Sequence, residues 1–122
     1  MHLCALILGV ILMNTTALYL LAINDSKQLV LFSPYYGDPQ SVAKRFLEMQ
    51  SDKRFDKAYA MQFMRANADV EFAPDHNVMS DYIYALSHKG QLRASAYVGT
   101  RWDVFFEGVW QDFIDRYDSL GF

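Results

Sequence analysis

Residues 3–23, LCALILGVILMNTTALYLLAI, form the apolar stretch on which the interpretation of the whole chain depends. No Asp, Glu, Lys or Arg occurs before Asp25. The hydrocarbon core of a bilayer is about 30 Å thick, and a helix needs about 20 apolar residues to cross it. The stretch has this length. We therefore predict a transmembrane or signal-anchor segment over residues 1–24 and a small globular domain over residues 25–122.

A cleaved signal peptide is a second interpretation of the same stretch. Thr15 and Thr16 followed by Ala17 supply the small residues that precede a cleavage site, and the mature chain would then be a secreted effector or inhibitor. However, no Lys or Arg precedes the apolar segment, and residues 18–23 would stay exposed after cleavage. The membrane-spanning helix is therefore the preferred interpretation.

A soluble core is the third interpretation. Residues 3–13 and 17–23 would be two buried strands joined by a turn at residues 14–16. Residues 24–27, Asn-Asp-Ser-Lys, suit a second turn, and residues 28–32 suit a third strand. The many leucines of the stretch count against strands, because leucine is a strong helix former.

Composition and charge restrict the classes of function. The chain has 122 residues, enough for one domain, and its net charge of −3 is too small to favour nucleic acid as a partner. Its single cysteine, Cys4, cannot form an intrachain disulfide or a cysteine-rich zinc cluster. We therefore expect no nucleic-acid partner, no cofactor and no metal site.

The pattern of residues 25–122 predicts an α+β domain that is mostly helical, with about four helices and two or three short strands. Asp38 can cap a helix and Pro39 suits its first position, so a helix is expected to begin there. Arg45 is assigned to a solvent-exposed, mildly basic helix face. The predicted elements before residue 100 are a strand over 28–32, a helix over 39–50, a helix over 51–66, a strand over 69–73, a helix over 78–89 and a strand over 92–98.

The clearest pattern is an amphipathic helix over residues 101–120. Its apolar side chains recur at steps of three and four residues, and acidic residues occupy the other face. We predict that this apolar stripe packs on the domain core, with Trp110 as its most buried residue. The alternative is a partner surface, since Trp and Tyr concentrate at protein interfaces. The residues of that possible partner surface are Trp102, Phe106, Trp110 and Tyr117.

The segment 41–73 resembles the helical opening of NTF2-like cone domains, mainly through the phrase FDKAY at residues 55–59. The resemblance covers about a quarter of the chain and includes no specific motif. The chain departs from such domains at residues 101–120, where long curved strands would be required and a helix is predicted. We assign no family from this resemblance.

No catalytic motif is recognisable in the sequence. Asp75 and His76 lie in a predicted loop, and His88 follows at the far end of a predicted helix, about 16 Å away. That separation is too large for the two histidines to share a metal ion. We predict that Asp75 and His76 only shape a turn and that the protein is not an enzyme.

These observations favour a small accessory or assembly protein that is anchored by one membrane-spanning helix and acts through protein–protein interaction. The expected partner is another membrane or envelope protein, or a second copy of the chain. The domain is expected outside the cytoplasm, because small anchored proteins are typically arranged in that way. The alternative function is a small-molecule-binding domain or an enzyme whose aromatic side chains line a pocket.

Overall fold

The computed structural model describes residues 15–24, 26–49, 57–73 and 79–118. Six strands form one mixed sheet, and three described helices pack against it. The strands are β1 (Ala17–Ala22), β2 (Gln28–Ser33), β3 (Glu71–Phe72), β4 (Tyr82–Leu86), β5 (Gln91–Tyr97) and β6 (Trp102–Val109). The helices are α1 (Pro39–Glu48), α2 (Lys57–Ala66) and α3 (Trp110–Asp118). The strand order is β3-β2-β1-β4-β5-β6.

The second half of the apolar stretch is a strand in the middle of the sheet. β1 pairs antiparallel with β2 and parallel with β4, so it has a neighbour on each side. The turn between β1 and β2 is closed by Asn24, whose side-chain oxygen accepts hydrogen bonds from the backbone N–H groups of Ser26 and Lys27 at 2.9 and 3.0 Å. The soluble-core interpretation is therefore right about residues 17–33.

The predicted membrane-spanning helix is wrong, because residues 17–22 belong to the sheet. None of the helices within the described residues is both long and apolar enough to cross a bilayer. The predicted location, a single-pass membrane protein with its domain outside the cytoplasm, depended on that helix and is contradicted with it. The physical reason for the error is that a strand with a neighbouring strand on each edge, in the middle of a sheet, can be as continuously apolar as a membrane helix.

The prediction of a mostly helical domain is also wrong, at two places. Residues 82–86, expected within a helix, form β4. Residues 102–109, expected in the first half of the C-terminal helix, form β6, and only the part from Trp110 onward is helical. In β6 a bulge opposite Ala94 and Ser95 turns both Phe105 and Phe106 toward the helices, where both rings contact Tyr117. Because two successive apolar residues then lie on one face, the spacing of apolar residues in this part of the sequence resembles that of an amphipathic helix.

The three helices pack on one face of the sheet, and α1 starts where the sequence predicts. Asp38 accepts a hydrogen bond from the backbone N–H of Ser41 at 3.1 Å, and Pro39 occupies the first turn. The hydrophobic core lies between this face and the helices. Its largest fully buried side chains are Tyr19, Leu21, Leu31, Val42, Phe46, Tyr59, Phe63, Tyr84, Leu92, Phe113 and Ile114.

Gly37 is required where the loop after β2 crosses the start of β1. Its backbone N–H donates to the carbonyl of Thr15 at 2.8 Å, and a Cβ atom at this position would lie 2.5 Å from the carbonyl oxygen of Thr16. We expect Gly37→Ala to lower the free energy of unfolding by about 1–3 kcal/mol, because the backbone must move to admit the methyl group. Denaturant unfolding measures the change.

Gly108→Ala is the matched control for that prediction. The added Cβ would meet the ring of Phe106 at 3.4 Å, an ordinary contact distance, so a change within about 0.5 kcal/mol is expected. Equal effects of the two substitutions would show that the close approach at Gly37 is not needed for the fold.

Candidate functional site

The sheet has a second face, opposite the helices. Strand register assigns the side chains: Tyr19 and Tyr84 face the helices, so their neighbours Leu18 and Ile83 face the other way. We call this second surface the open face, because no described helix packs on it. Its side chains are Leu18, Leu20, Val30, Phe32, Ile83, Ala85, Arg93, Ser95, Tyr97, Trp102, Val104, Glu107 and Val109.

Apolar side chains are exposed at the β6 end of the open face. Tyr97 and Trp102 are opposite each other on β5 and β6, and their ring centroids are 5.3 Å apart. Both are 39% exposed, and Val104 and Val109 are 46% and 43% exposed. We call Tyr97, Trp102, Val104 and Val109 the β6 patch. Large apolar side chains grouped at this exposure are typical of interaction surfaces.

The β6 patch lies on an edge strand. β6 is the last strand in the sheet order, so the outer row of its backbone N–H and C=O groups has no partner strand among the described residues. The opposite edge is formed by β3, which is two residues long. An eight-residue edge strand offers a template on which an extended segment of another chain can pair.

Charges next to the β6 patch are balanced within the chain. Arg93 pairs with Glu107 across β5 and β6 at 3.1 Å, and Arg101 pairs with Asp103 at 3.1 Å. All four side chains are well exposed, so each pair contributes little to stability. The patch therefore presents an apolar surface with a charge-neutral rim.

A polar cluster is buried beneath α1. The guanidinium of Arg45 donates from Nη2 to a carboxylate oxygen of Asp69 at 2.7 Å and to the carbonyl of Tyr35 at 3.3 Å. The Ser33 hydroxyl hydrogen-bonds with the same carboxylate. Arg45 was expected on a solvated helix face, but its side chain is only 9% exposed. These contacts tie β2, α1 and the loop before β3 together.

The ionisation of Asp69 follows from these contacts. Its partial burial by itself would raise the pKa of the carboxyl, but the hydrogen bonds from Ser33 and Arg45 and the charge of Arg45 outweigh this effect and lower the pKa. Burial raises the pKa of Tyr19 well above its ordinary value, so this phenol stays neutral. The cluster is therefore built on an ion pair in which the charges of Asp69 and Arg45 neutralise each other.

Three buried polar atoms of this region have no hydrogen-bond partner in the described part of the chain: Tyr19 Oη, Asp38 Oδ1 and Arg45 Nη1. Tyr84, stacked beside Tyr19, donates its hydroxyl to the carbonyl of Gly37 at 2.7 Å. Donors and acceptors of this kind suit an internal water molecule.

The four residues predicted as a possible partner surface are not on one surface. Trp102 lies on the open face, whereas Phe106 and Tyr117 are half-buried on the helix side. Trp110 is 7% exposed and packs against the rings of Phe46 and Tyr59. Within α3 the most buried residue is Phe113 and not Trp110.

Val104 and Tyr97 belong to the candidate site but were not predicted as site residues from the sequence. The signal of Val104 is the alternation of exposed apolar residues along a strand, which is hidden once residues 101–120 are interpreted as a helix, and without β6 nothing marks Tyr97 as its neighbour. His88 lies half-buried in the turn between β4 and β5, and Asp75 and His76 lie outside the described residues. No group of three His, Cys, Asp or Glu side chains that could hold a metal ion occurs in the described ranges.

No protein-family model, curated protein or solved structure matches the chain. The partial resemblance of residues 41–73 to NTF2-like domains therefore assigns no fold or function. Among the surfaces that the described residues present, the β6 patch on its edge strand combines exposed apolar side chains with an unpaired backbone edge.

Proposed function

We propose that this protein is a non-enzymatic accessory or assembly protein that binds another protein through β6. The observation that carries the proposal is the coincidence of an eight-residue edge strand with the exposed apolar side chains of the β6 patch. Edge strands in proteins are usually short, charged or covered, because an exposed one invites pairing with other chains. A long edge strand carrying Trp102 and Val104 is better explained as a binding surface.

The partner that fits this surface is an extended protein segment. Its backbone would add a seventh strand beside β6, and main-chain hydrogen bonds would supply much of the affinity. Because side chains of a strand alternate between the two faces, every second residue of the segment would lie beside Trp102 or Val104. Apolar residues at those alternate positions are therefore expected in the partner. Because the charged side chains beside the β6 patch are paired with each other, we do not expect the charge of the partner segment to decide whether it binds.

Trp102 is the expected centre of the binding energy. Aromatic side chains concentrate among interface residues whose loss costs most affinity, and the ring of Trp102 already contacts the ring of Tyr97, which restricts its freedom before binding. Trp102→Ala is expected to weaken binding by about 2 kcal/mol, or about 30-fold in Kd. The free energy of unfolding should change by only about 1 kcal/mol, because the ring is 39% exposed.

A photo-reactive amino acid at Val104 would identify the partner by cross-linking in native extracts, with the same group at exposed Gln62 on α2 as the control. The Kd of the purified partner is then measured for the wild type, Trp102→Ala, Val104→Lys and Gln62→Ala. Weakening by both substitutions in β6, with no change for Gln62→Ala, is the expected result. Unchanged affinity in both folded β6 variants would refute the proposal.

A second copy of the chain is one outcome of the same experiment. Two β6 strands pairing edge to edge would give a continuous sheet of twice six strands. In that case the cross-link at Val104 joins two identical chains, and Trp102→Ala shifts the molecular mass in solution from dimer to monomer. The heterologous partner proposed above would then be replaced by self-association.

A further inference from the structure

The backbone groups on the outer edge of β6 can be assigned to individual residues. At the start of the strand the N–H of Val98 donates to the carbonyl of Arg101 at 2.9 Å, and at its end the N–H of Trp110 donates to the carbonyl of Gly90 at 2.9 Å. Backbone groups of successive residues in a strand point alternately to its two sides. Both ends therefore show which residues of β6 direct their N–H and C=O away from β5. They are Trp102, Val104, Glu107 and Val109.

The bulge in β6 keeps these outward-directed residues evenly spaced. Val104 and Glu107 lie on either side of the bulge, opposite Ser95 and Arg93 of β5. Ser95 and Arg93 are two residues apart, so the three residue steps from Val104 to Glu107 cover the length of two ordinary strand steps. The same two-step length separates the outward-directed residues at each end of the strand.

Even spacing makes the outer edge of β6 complementary to itself. If a second β6 runs antiparallel and overlaps the first completely, Trp102 lies opposite Val109 of the second copy, and Val104 lies opposite Glu107 of the second copy. Every outward-directed residue then meets another one, and each of the four pairs can exchange two backbone hydrogen bonds. A shift by two residues in either direction leaves only three such pairs.

The side chains also match in this register. Opposite residues of antiparallel strands lie on the same face, so Trp102 would contact Val109 of the second copy at both ends of the paired strands. These two side chains are 39% and 43% exposed in the single chain, and the contact would cover part of their apolar surface. Glu107 keeps its ion pair with Arg93 of its own chain, so the pairing brings no unpaired charge against Val104.

We propose that two copies of the chain pair through β6 in this register while no partner segment is bound, and that this pairing regulates access to β6. The inference rests on the proposed binding of a protein segment to β6 and adds the state of the edge before binding. An exposed edge strand invites uncontrolled pairing. A two-fold pair is closed, because each chain has one outer edge of β6 and the pair uses both. The partner segment needs the same backbone groups, so it has to displace the second copy.

Disulfide formation between two single variants tests the register. In full-length chains with Cys4→Ser, Val104→Cys is mixed with Glu107→Cys, which would be opposite each other with Cα atoms about 5.5 Å apart. Their intermolecular disulfide is expected to form about tenfold faster than in a control mixture of Glu107→Cys with Val109→Cys, which would be offset by about 13 Å along the strands. Non-reducing electrophoresis measures both rates. Equal rates would overturn the proposal.

The molecular mass in solution tests the backbone pairing. Sedimentation equilibrium of the wild type is expected to show a change from monomer to dimer as the protein concentration rises. Val104→Pro removes one outward-directed N–H without removing a hydrogen bond to β5, so this variant should stay monomeric. Val104→Ala keeps the N–H and is the matched control that should still form dimers. A wild type that is monomeric up to about 1 mM, or a Val104→Pro protein that pairs as well as Val104→Ala, would overturn the proposal.

The regulatory part is tested with the dimer that the disulfide between positions 104 and 107 locks. The partner purified after the cross-linking experiment is expected to bind the locked dimer at least about tenfold more weakly than the same protein after reduction, because locking removes the open edge. Equal affinity before and after reduction would overturn the regulation. Failure of the proposed function gives a different result: the chain still pairs with itself, but no other protein binds through β6.

Discussion

Replacing Trp110 with alanine is expected to lower the free energy of unfolding by about 3–5 kcal/mol, the usual cost of deleting a large aromatic side chain from a core. Trp110 is 7% exposed, and its ring makes edge contacts with Phe46 on α1 and Tyr59 on α2 at centroid distances of 6.4 and 6.1 Å. Its backbone N–H also donates to the carbonyl of Gly90 at 2.9 Å. One side chain therefore connects all three helices.

Denaturant unfolding of Trp110→Ala and Trp102→Ala tests this assignment directly. Small domains have total stabilities of about 5–15 kcal/mol, so the Trp110 variant should lose between about a fifth and all of its stability. Trp102→Ala, with the same change of side chain at a 39% exposed position, is the matched control and should lose about 1 kcal/mol. A Trp110→Ala protein as stable as the control would mean that this ring serves a partner and not the core.

Replacing Asp69 with alanine is expected to cost about 3 kcal/mol, because it leaves the guanidinium of Arg45 buried without its carboxylate. The Asp69 side chain is 22% exposed, which places the effect at the lower end of the range for buried pairs. The double variant Arg45→Met with Asp69→Leu should recover part of the loss, since no unpaired charge is then buried. A double-mutant cycle measured by denaturant unfolding gives the coupling between the two side chains.

The same carboxylate predicts a pH dependence. The pKa of Asp69 is lower in the folded protein than in the unfolded chain, where it is about 3.9. The contribution of Asp69 to stability is therefore fully present above pH 4, and it is lost as the pH falls below about 4 through the folded pKa. Asp69→Asn should remove this part of the acid dependence. An unfolding free energy with the same dependence below pH 4 in Asp69→Asn would contradict the assignment.

The local structure of several segments could be predicted because the signal lies within a few neighbouring residues. Asp38 and Pro39 start α1 through a side-chain cap and a fixed backbone angle, and both act within one turn. The turn at residues 24–27 is closed by the side chain of Asn24 and by backbone hydrogen bonds to the carbonyl of Lys27. The alternation of Leu92 and Ala94 against polar neighbours indicates β5, which the structure confirms. None of these features depends on contacts distant in sequence.

The β6 strand and the candidate site were missed because their signal is not local. Phe105 and Phe106 both face the helices because of a bulge, and that bulge exists only when β6 pairs with β5. Trp102 then points to the open face together with Val104, which reverses the expected place of Trp102 beside Trp110 on one helical stripe. A one-dimensional pattern cannot distinguish a bulged strand followed by a helix from one continuous helix.

By itself, the sequence determined the apolar character of residues 3–23, the start of α1, the hairpin turn and the burial of a large aromatic core, because each follows from residue chemistry and short-range geometry. Only the tertiary structure decided that residues 17–22 form the centre of a sheet and that Arg45 pairs with Asp69, 24 positions away. It also decided which aromatic residues remain exposed. The reason is that burial and register depend on the parallel pairing of β1 with β4, strands about 65 residues apart, and no local pattern encodes that pairing.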